Sequence, residues 1–294
     1  MRQIIKCILV GLTRLLTWPL GTGGRRRLLR ILRQGMKTVG FDEVIEEIPT
    51  ARGTVRFYCL GDLPLWRAKT LLTKEPETIE WIDTIEDGAV LYDIGANVGV
   101  YTIYAAINRQ VRVLAFEPLA ANYFLLNRNI EENRLSDTVS AYCLALNDTD
   151  GLDKFHVRDT GFGSALSSFA EAIDHNGQPF AASFEQGMIG MSMDRFIEAF
   201  DPPFPDHIKI DVDGIEDKIV TGAQRTLSDP RVKSLSIELD AARPDYTDAV
   251  IRNIEAAGLT LISKRRAPEL DGTPFANIYN YLFRRPAGSG GPQT

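Results

Sequence analysis

Apolar positions recur along the chain at two spacings, one that suits helices with a single buried face and one that suits short buried strands. Ile4, Ile5, Ile8, Leu9, Leu12, Leu15 and Leu16 fall on one helical face, and Trp18 and Pro19 close that run. Gly21 to Gly24 makes a hinge, after which Arg25, Arg26 and Arg27 open a second basic-apolar segment with Leu28, Leu29, Ile31 and Leu32. Residues 43–59 alternate as a hairpin with Ala51-Arg52-Gly53 as its turn. Residues 63–74 and 77–86 read as helices separated by Pro76.

From Val90 the pattern changes to strand, turn and helix in repeated order. Val90, Leu91 and Tyr92 end in Asp93, a glycine-spaced turn runs from Gly95 to Gly99, and a helical pattern follows. Residues 111–116 form the next buried run, closed by Glu117 at 24 positions beyond Asp93. The spacing then predicts a helix over 120–132, a third strand over 139–146 and an extra strand over 152–157. Residues 158–190 are irregular, polar and glycine-bearing, which makes them the expected source of substrate contacts. A helix over 194–200, a strand over 207–212, a helix over 214–227 and a strand over 232–239 come next. A helix over 246–257 is capped by Gly258, two strands follow over 259–263 and 276–283, and 287–294 reads as a disordered tail. The division expected is a basic segment 1–37, a hairpin and helical cap 38–88, a catalytic domain 89–286 and the tail.

The turn after Asp93 sorts between cofactor classes. A dinucleotide site uses G-x-G-x-x-G, so that a pyrophosphate can sit on the helix N-terminus. Here the pattern is D-x-G-x-x-x-G, with Asn97 where a second glycine would stand. That disfavours a nicotinamide oxidoreductase. An acid at the strand end suits a cationic, phosphate-free ligand such as S-adenosylmethionine, with Asp93 toward its amino-acid end and Glu117 accepting ribose hydroxyls.

The segments D-I-G-A-N-V-G-V-Y-T, F-E-P and I-K-I-D-V-D-G-I-E, with K-E-P-E-T-I-E-W-I upstream and C-L-A-L-N-D-T-D-G between, resemble the FkbM family of methyltransferases. The resemblance implies a class I methyltransferase, Rossmann-like α/β fold. Its seven-stranded, mostly parallel sheet carries helices on both faces, with an N-terminal helical and hairpin extension. It also implies O-methylation of a hydroxyl on a sugar, glycan or natural product. The candidate cofactor contacts are Asp93, Gly95, Ala96, Asn97, Gly99, Thr102, Glu117, Pro118, Asn147 and Asp148. A local turn explains Asn147-Asp148 equally well.

The candidate catalytic residues are Asp211, Asp213 and Glu238, at the carboxyl ends of two core strands. Three charges at alternate positions (Lys209, Asp211, Asp213) on an otherwise apolar strand need a reason, because unpaired buried charge is costly. A Lys209–carboxylate pair with a cap for the next helix is one; a carboxylate that takes a proton from a substrate hydroxyl is another, and the two are compatible. Glu75 and Thr78 are weaker candidates that helix-start chemistry also explains. Asp201-Pro202-Pro203-Phe204 imitates the D-P-P-F of amino-methyltransferases, but it precedes a strand instead of following one, so it reads as a loop.

Composition narrows the partners. Residues 1–37 hold nine Lys or Arg and no acid, so of the formal net charge of −6 the remainder carries −15. So acidic a body argues against nucleic-acid binding. Cys7, Cys59 and Cys143 and the three histidines are scattered, without the spacing of a zinc site or a disulfide framework, which points to the cytoplasm. A metal-free site is the default expectation, because no compact ligand cluster is visible; a divalent cation held by the acids is the alternative. Lys6 and Arg14 interrupt the N-terminal apolar run and argue against a membrane span. Segment 1–37 either lies on the inner membrane surface or docks its apolar face on the catalytic domain. The partner expected is a small-molecule or glycan acceptor. The competing reading is a non-catalytic module of the same fold that recruits partners to a membrane.

Overall fold

The apolar runs at residues 90–94, 112–116 and 207–210 lie side by side as parallel strands in the middle of one sheet. The computed structural model forms two compact units, 1–44 and 45–294, and describes residues 24, 27, 28, 44–267, 271–273 and 275–286. Apart from Gly24, Arg27 and Leu28, the basic segment 1–37 lies outside the described residues, as does the tail 287–294.

A hairpin opens the described chain: β1 (Val44–Pro49) and β2 (Thr54–Cys59). Helices α1 (Asp62–Lys69) and α2 (Pro76–Asp83) follow, then β3 (Val90–Ile94), α3 (Val100–Asn108), β4 (Arg112–Phe116) and α4 (Ala120–Glu132). The next strands are β5 (Val139–Tyr142), β6 (Ala145–Leu146), β7 (Gly151–Val157), β8 (Ser168–Phe169) and β9 (Phe184–Met191). Then come α5 (Met193–Phe200), β10 (His207–Ile210), α6 (Glu216–Thr221), α7 (Gln224–Ser228) and β11 (Ser234–Asp240). The chain closes with α8 (Pro244–Ala256), β12 (Thr260–Arg265) and β13 (Ile278–Arg284).

The main sheet has the order β12-β13-β11-β10-β3-β4-β5, with β13 antiparallel to both of its neighbours and the other pairings parallel. Its central strands are buried almost throughout because both faces are covered. One core cluster gathers Tyr92, Phe116, Ile208, Ile210 and Ile237, and the other gathers Leu91, Val113, Ile103 and Phe57. Strand order reverses between β3 and β10, and a crevice opens at such a point over the carboxyl ends of the strands. The hairpin joins through amides: Asn129 Oδ1 accepts from Tyr58 N (2.7 Å) and Asn133 Oδ1 from Arg56 N (2.9 Å). Two asparagines four apart on α4 thus serve an edge of β2 that would otherwise need water.

Three expected boundaries move. The strand expected over 139–146 is two strands: β5 stays at the sheet edge, and β6 leaves it to pair with Gly190–Met191 in a second sheet of order β6-β9-β7-β8. The irregular stretch 158–190 contains β8 and most of β9, whose F-E-Q-G-M-I-G-M sequence hides its alternation behind two glycines. The helix expected over 214–227 breaks into α6 and α7 around Gly222-Ala223. A Cβ on Gly222 would lie 2.1 Å from the carbonyl oxygen of Asn147, so the chain after β6 packs against bare helix backbone.

Gly222→Ala tests that contact. In an isolated helix the change stabilises by about 1 kcal/mol; here it should lower stability by about 1–3 kcal/mol in urea unfolding. A neutral or stabilising result would mean the contact is not there.

Candidate functional site

Gly95, at φ +82°, turns the chain at the end of β3. A Cβ there would meet the Asp211 carbonyl oxygen at 1.9 Å, so the two central strands end in backbone contact. That contact sets Asp211 beside the glycine turn. Beyond it a cavity of about 990 Å³ opens, lined among others by Asn97, Glu117, Leu146, Trp66, Glu77 and Asn280. Asp211, Asp213 and Glu238 lie along its floor. A small side chamber at the turn is lined by Lys74, Asp93, Ala96, Lys209 and Asp211.

Glu117 is buried, and each of its oxygens is already oriented: Oε2 accepts from Asn97 N and Oε1 from Leu119 N, both at 2.8 Å. Burial pushes its carboxyl up to about 7. Asp93 is buried behind the turn; Thr102 Oγ1 donates to its Oδ2 at 2.5 Å, and its Oδ1 has no partner. Burial raises its pKa as well, against the pull of Lys209.

Lys209 is the cation at the centre of this network. It is buried, donates to Asp211 Oδ2 at 2.5 Å and lies 4.9 Å from the Tyr101 ring centre. Burial disfavours its charge, but Asp211 and Asp93 more than offset this and raise its pKa. Burial likewise opposes ionisation of Asp211, yet Lys209 and Lys74 hold that carboxyl below the usual range. Lys74 Nζ pairs with the buried Glu75 at 2.5 Å. Burial raises the Glu238 carboxyl well above its ordinary value, and the charges of Asp211 and Glu75 add to the effect. Asp213 Oδ2 accepts from Leu166 N at 2.6 Å, and burial lifts its pKa to about 6.

The long segment between β7 and β9 straps across this cavity. Gly163 N donates to Asn122 Oδ1 (2.8 Å), its carbonyl accepts from Arg67 Nε (2.8 Å), and the Ser164 carbonyl accepts from both Asn97 Nδ2 and Asn122 Nδ2 at 2.9 Å. Ser164, Ala165, Leu166 and Ser167 line the cavity.

Several expected site residues stand elsewhere. Gly99 touches no cavity; a Cβ there would lie 2.5 Å from Leu126 Cδ1, so it brings α3 against α4. Thr102 acts behind Asp93 and does not line either chamber. Pro118 does line the cavity. Asn147 and Asp148 do not: Asn147 is buried under Gly222 and Asp148 is exposed, because β6 has turned toward the second sheet. Leu144, Ala145 and Leu146 line the cavity instead. No side-chain cap begins α6; Glu216 takes the Gly214 N–H and the Tyr246 hydroxyl instead. The D-P-P-F loop precedes β10 at its amino end, away from the cavity, with Arg231 over Phe204. No periodicity or motif marks Asn122 or Arg67, whose hydrogen bonds to the strap span 41 and 96 positions. Glu75, Asp211 and Glu238 offer oxygens within 4.8 Å of one another, a compact cluster that the metal-free expectation assumed absent.

A sheet of this order, with one reversed strand near its edge and a cavity at the switch point, defines the class I methyltransferase architecture. The methyltransferase FkbM domain matches residues 93–260, more than half of the chain. The chain belongs to that family of S-adenosylmethionine-dependent methyltransferases. It is 34% identical over 93 residues to the AMB antimetabolite synthetase AmbE of Pseudomonas aeruginosa, covering 31% of this chain and 4% of that protein. Among solved structures, precorrin-6y C5,15-methyltransferase from Geobacter metallireducens is similar at 13% identity and a TM-score of 0.42, over 72% of this chain and 87% of that one. M. jannaschii TYW2, solved with AdoMet, is similar at 13% identity and 0.42, over 83% and 87%. Among the described residues no helix is long and apolar enough to cross a membrane.

Asn122→Leu tests the strap. Losing an amide that serves two backbone groups should cost about 1–3 kcal/mol, and limited proteolysis should cut near residues 159–167 faster than in the parent. Unchanged cleavage would show that the strap is held elsewhere.

Proposed function

We propose that the chain is an O-methyltransferase that methylates a hydroxyl of a sugar, glycan or secondary metabolite. The observation that carries this reading is the Asp211 carboxylate, fixed by buried Lys209 in a cavity that Glu117 and Trp66 also line. Part of the lining fits the cofactor: Glu117 is a buried carboxylate with both oxygens oriented, and Asp93 keeps an unpartnered oxygen at the side chamber. Glu117 would accept ribose hydroxyls, the turn 95–97 would follow the amino-acid end, and Leu146 and Phe155 would pack on the adenine. S-adenosylmethionine, when bound, supplies an activated methyl group.

What remains for the protein is to hold an oxygen in line, exclude water and take a proton. The strap excludes water. Asp211 would take the proton of the acceptor hydroxyl as the methyl carbon passes from the sulfonium sulfur, which leaves as a neutral thioether, to that oxygen; Asp213 and Glu238 would hold neighbouring hydroxyls. Trp66 and Phe275 at the mouth offer apolar faces to a ring or chain. The basic start 1–37 would suit an acceptor held at an anionic membrane surface. A non-catalytic module would have no use for this many buried carboxylates, which cost stability unless a ligand or substrate needs them.

Isothermal titration with S-adenosylhomocysteine should give micromolar binding, weakened more than tenfold by Glu117→Ala. Because the ionised carboxylate is the better acceptor of two hydroxyls, affinity should rise as pH climbs through about 7; Glu117→Gln should flatten that rise. Asp211→Asn should lower turnover about 10²–10⁴-fold while leaving cofactor affinity within a fewfold. No binding by folded protein would end the enzyme reading.

A further inference from the structure

We infer that Glu75, Asp211 and Glu238 form a subsite for one hard divalent cation, such as Mg²⁺ or Mn²⁺, on the floor of the cavity. The three residues come from the start of α2, the end of β10 and the middle of β11, and each offers an oxygen within 4.8 Å of the others. Oxygens bound to one such ion at about 2.0–2.4 Å stand at most about 4–5 Å apart, so the cluster already has the dimensions of a shared site.

Lys74 holds Glu75 Oε1, Thr78 Oγ1 donates to Glu75 Oε2 at 3.2 Å, and Lys209 holds Asp211 Oδ2, which leaves Asp211 Oδ1 open to a ligand. Among the described residues none donates to the Glu238 carboxylate.

Two further carboxylates point to a missing partner. Glu77 lines the same cavity and is nine-tenths buried; its Oε1 accepts from Asn280 Nδ2 at 3.0 Å, and its Oε2 has no partner. Asn280 pairs with Glu238 in the β11–β13 register, and Glu77 lines the same cavity as all three acids of the cluster. Asp93 Oδ1, equally buried and equally unpartnered, borders it from the side chamber shared with Asp211. Acceptors so placed suit water molecules on a bound ion.

The ion's role rests on the methyl-transfer reading: a carboxylate is a weak base toward an alcohol, and a cation sharing the alcohol oxygen lowers its pKa. Its binding does not rest on that reading. The test is titration of the full-length protein with Mn²⁺, followed by the loss of the free-ion electron paramagnetic resonance signal, beside calorimetry with S-adenosylhomocysteine. One Mn²⁺ should bind at or below about 1 mM, weakened at least tenfold in Glu238→Gln and in Glu75→Gln and unaffected in Asp137→Asn at an exposed site. Protein that binds S-adenosylhomocysteine but no Mn²⁺, or whose Mn²⁺ affinity ignores both substitutions, would overturn the subsite. Protein that binds Mn²⁺ but not S-adenosylhomocysteine would instead overturn the cofactor reading and leave the subsite standing.

Discussion

Two backbones touching without a side chain between them organise this molecule. Gly95 lies so close to the Asp211 carbonyl that a single methyl group would push the strands apart. The parallel register of β3 and β10, Asp93 opposite Lys209 among its pairs, fixes the rest. With the turn and Asp211 in contact, the glycine turn and the acids at the end of β10 are set side by side by the sheet itself, and no loop has to bring them together.

That arrangement forces charge into the core, and the structure answers with pairing. Lys209 sits between two acids and beneath an aromatic ring, where desolvation is offset by near neighbours of opposite sign. Removing one member of such a set leaves the others buried and uncompensated, which costs far more than the pair is worth when intact. The floor of the cavity is thus rigid for the same reason that it is acidic.

The fold was legible wherever chemistry and periodicity lay within one short stretch. D-I-G-A-N-V-G and F-E-P announced β3, β4 and their turn, and H-I-K-I-D announced the strand opposite. What escaped notice depends on contacts distant in sequence. Asn122 looks like any helix asparagine until its bonds to Gly163 and Ser164 are seen, and Glu75 reads as a helix start because Asp211 and Glu238 lie far along the chain. Asn147 misled because the expected strand ends early: at the sheet edge the chain had a second partner, Gly190–Met191, and took it. Gly187 and Gly190, three apart and so on opposite faces of β9, concealed that partner by interrupting its alternation on both.

The strap has a kinetic meaning. Its anchors, Asn97, Asn122, Arg67 and Asp213, stand on the turn, on α4, on α1 and at the end of β10, all around the rim of the cavity it covers. Because the anchors stand on separate elements, no single hydrogen bond frees the segment. Its opening is a local unfolding event whose frequency follows the stability of the whole set.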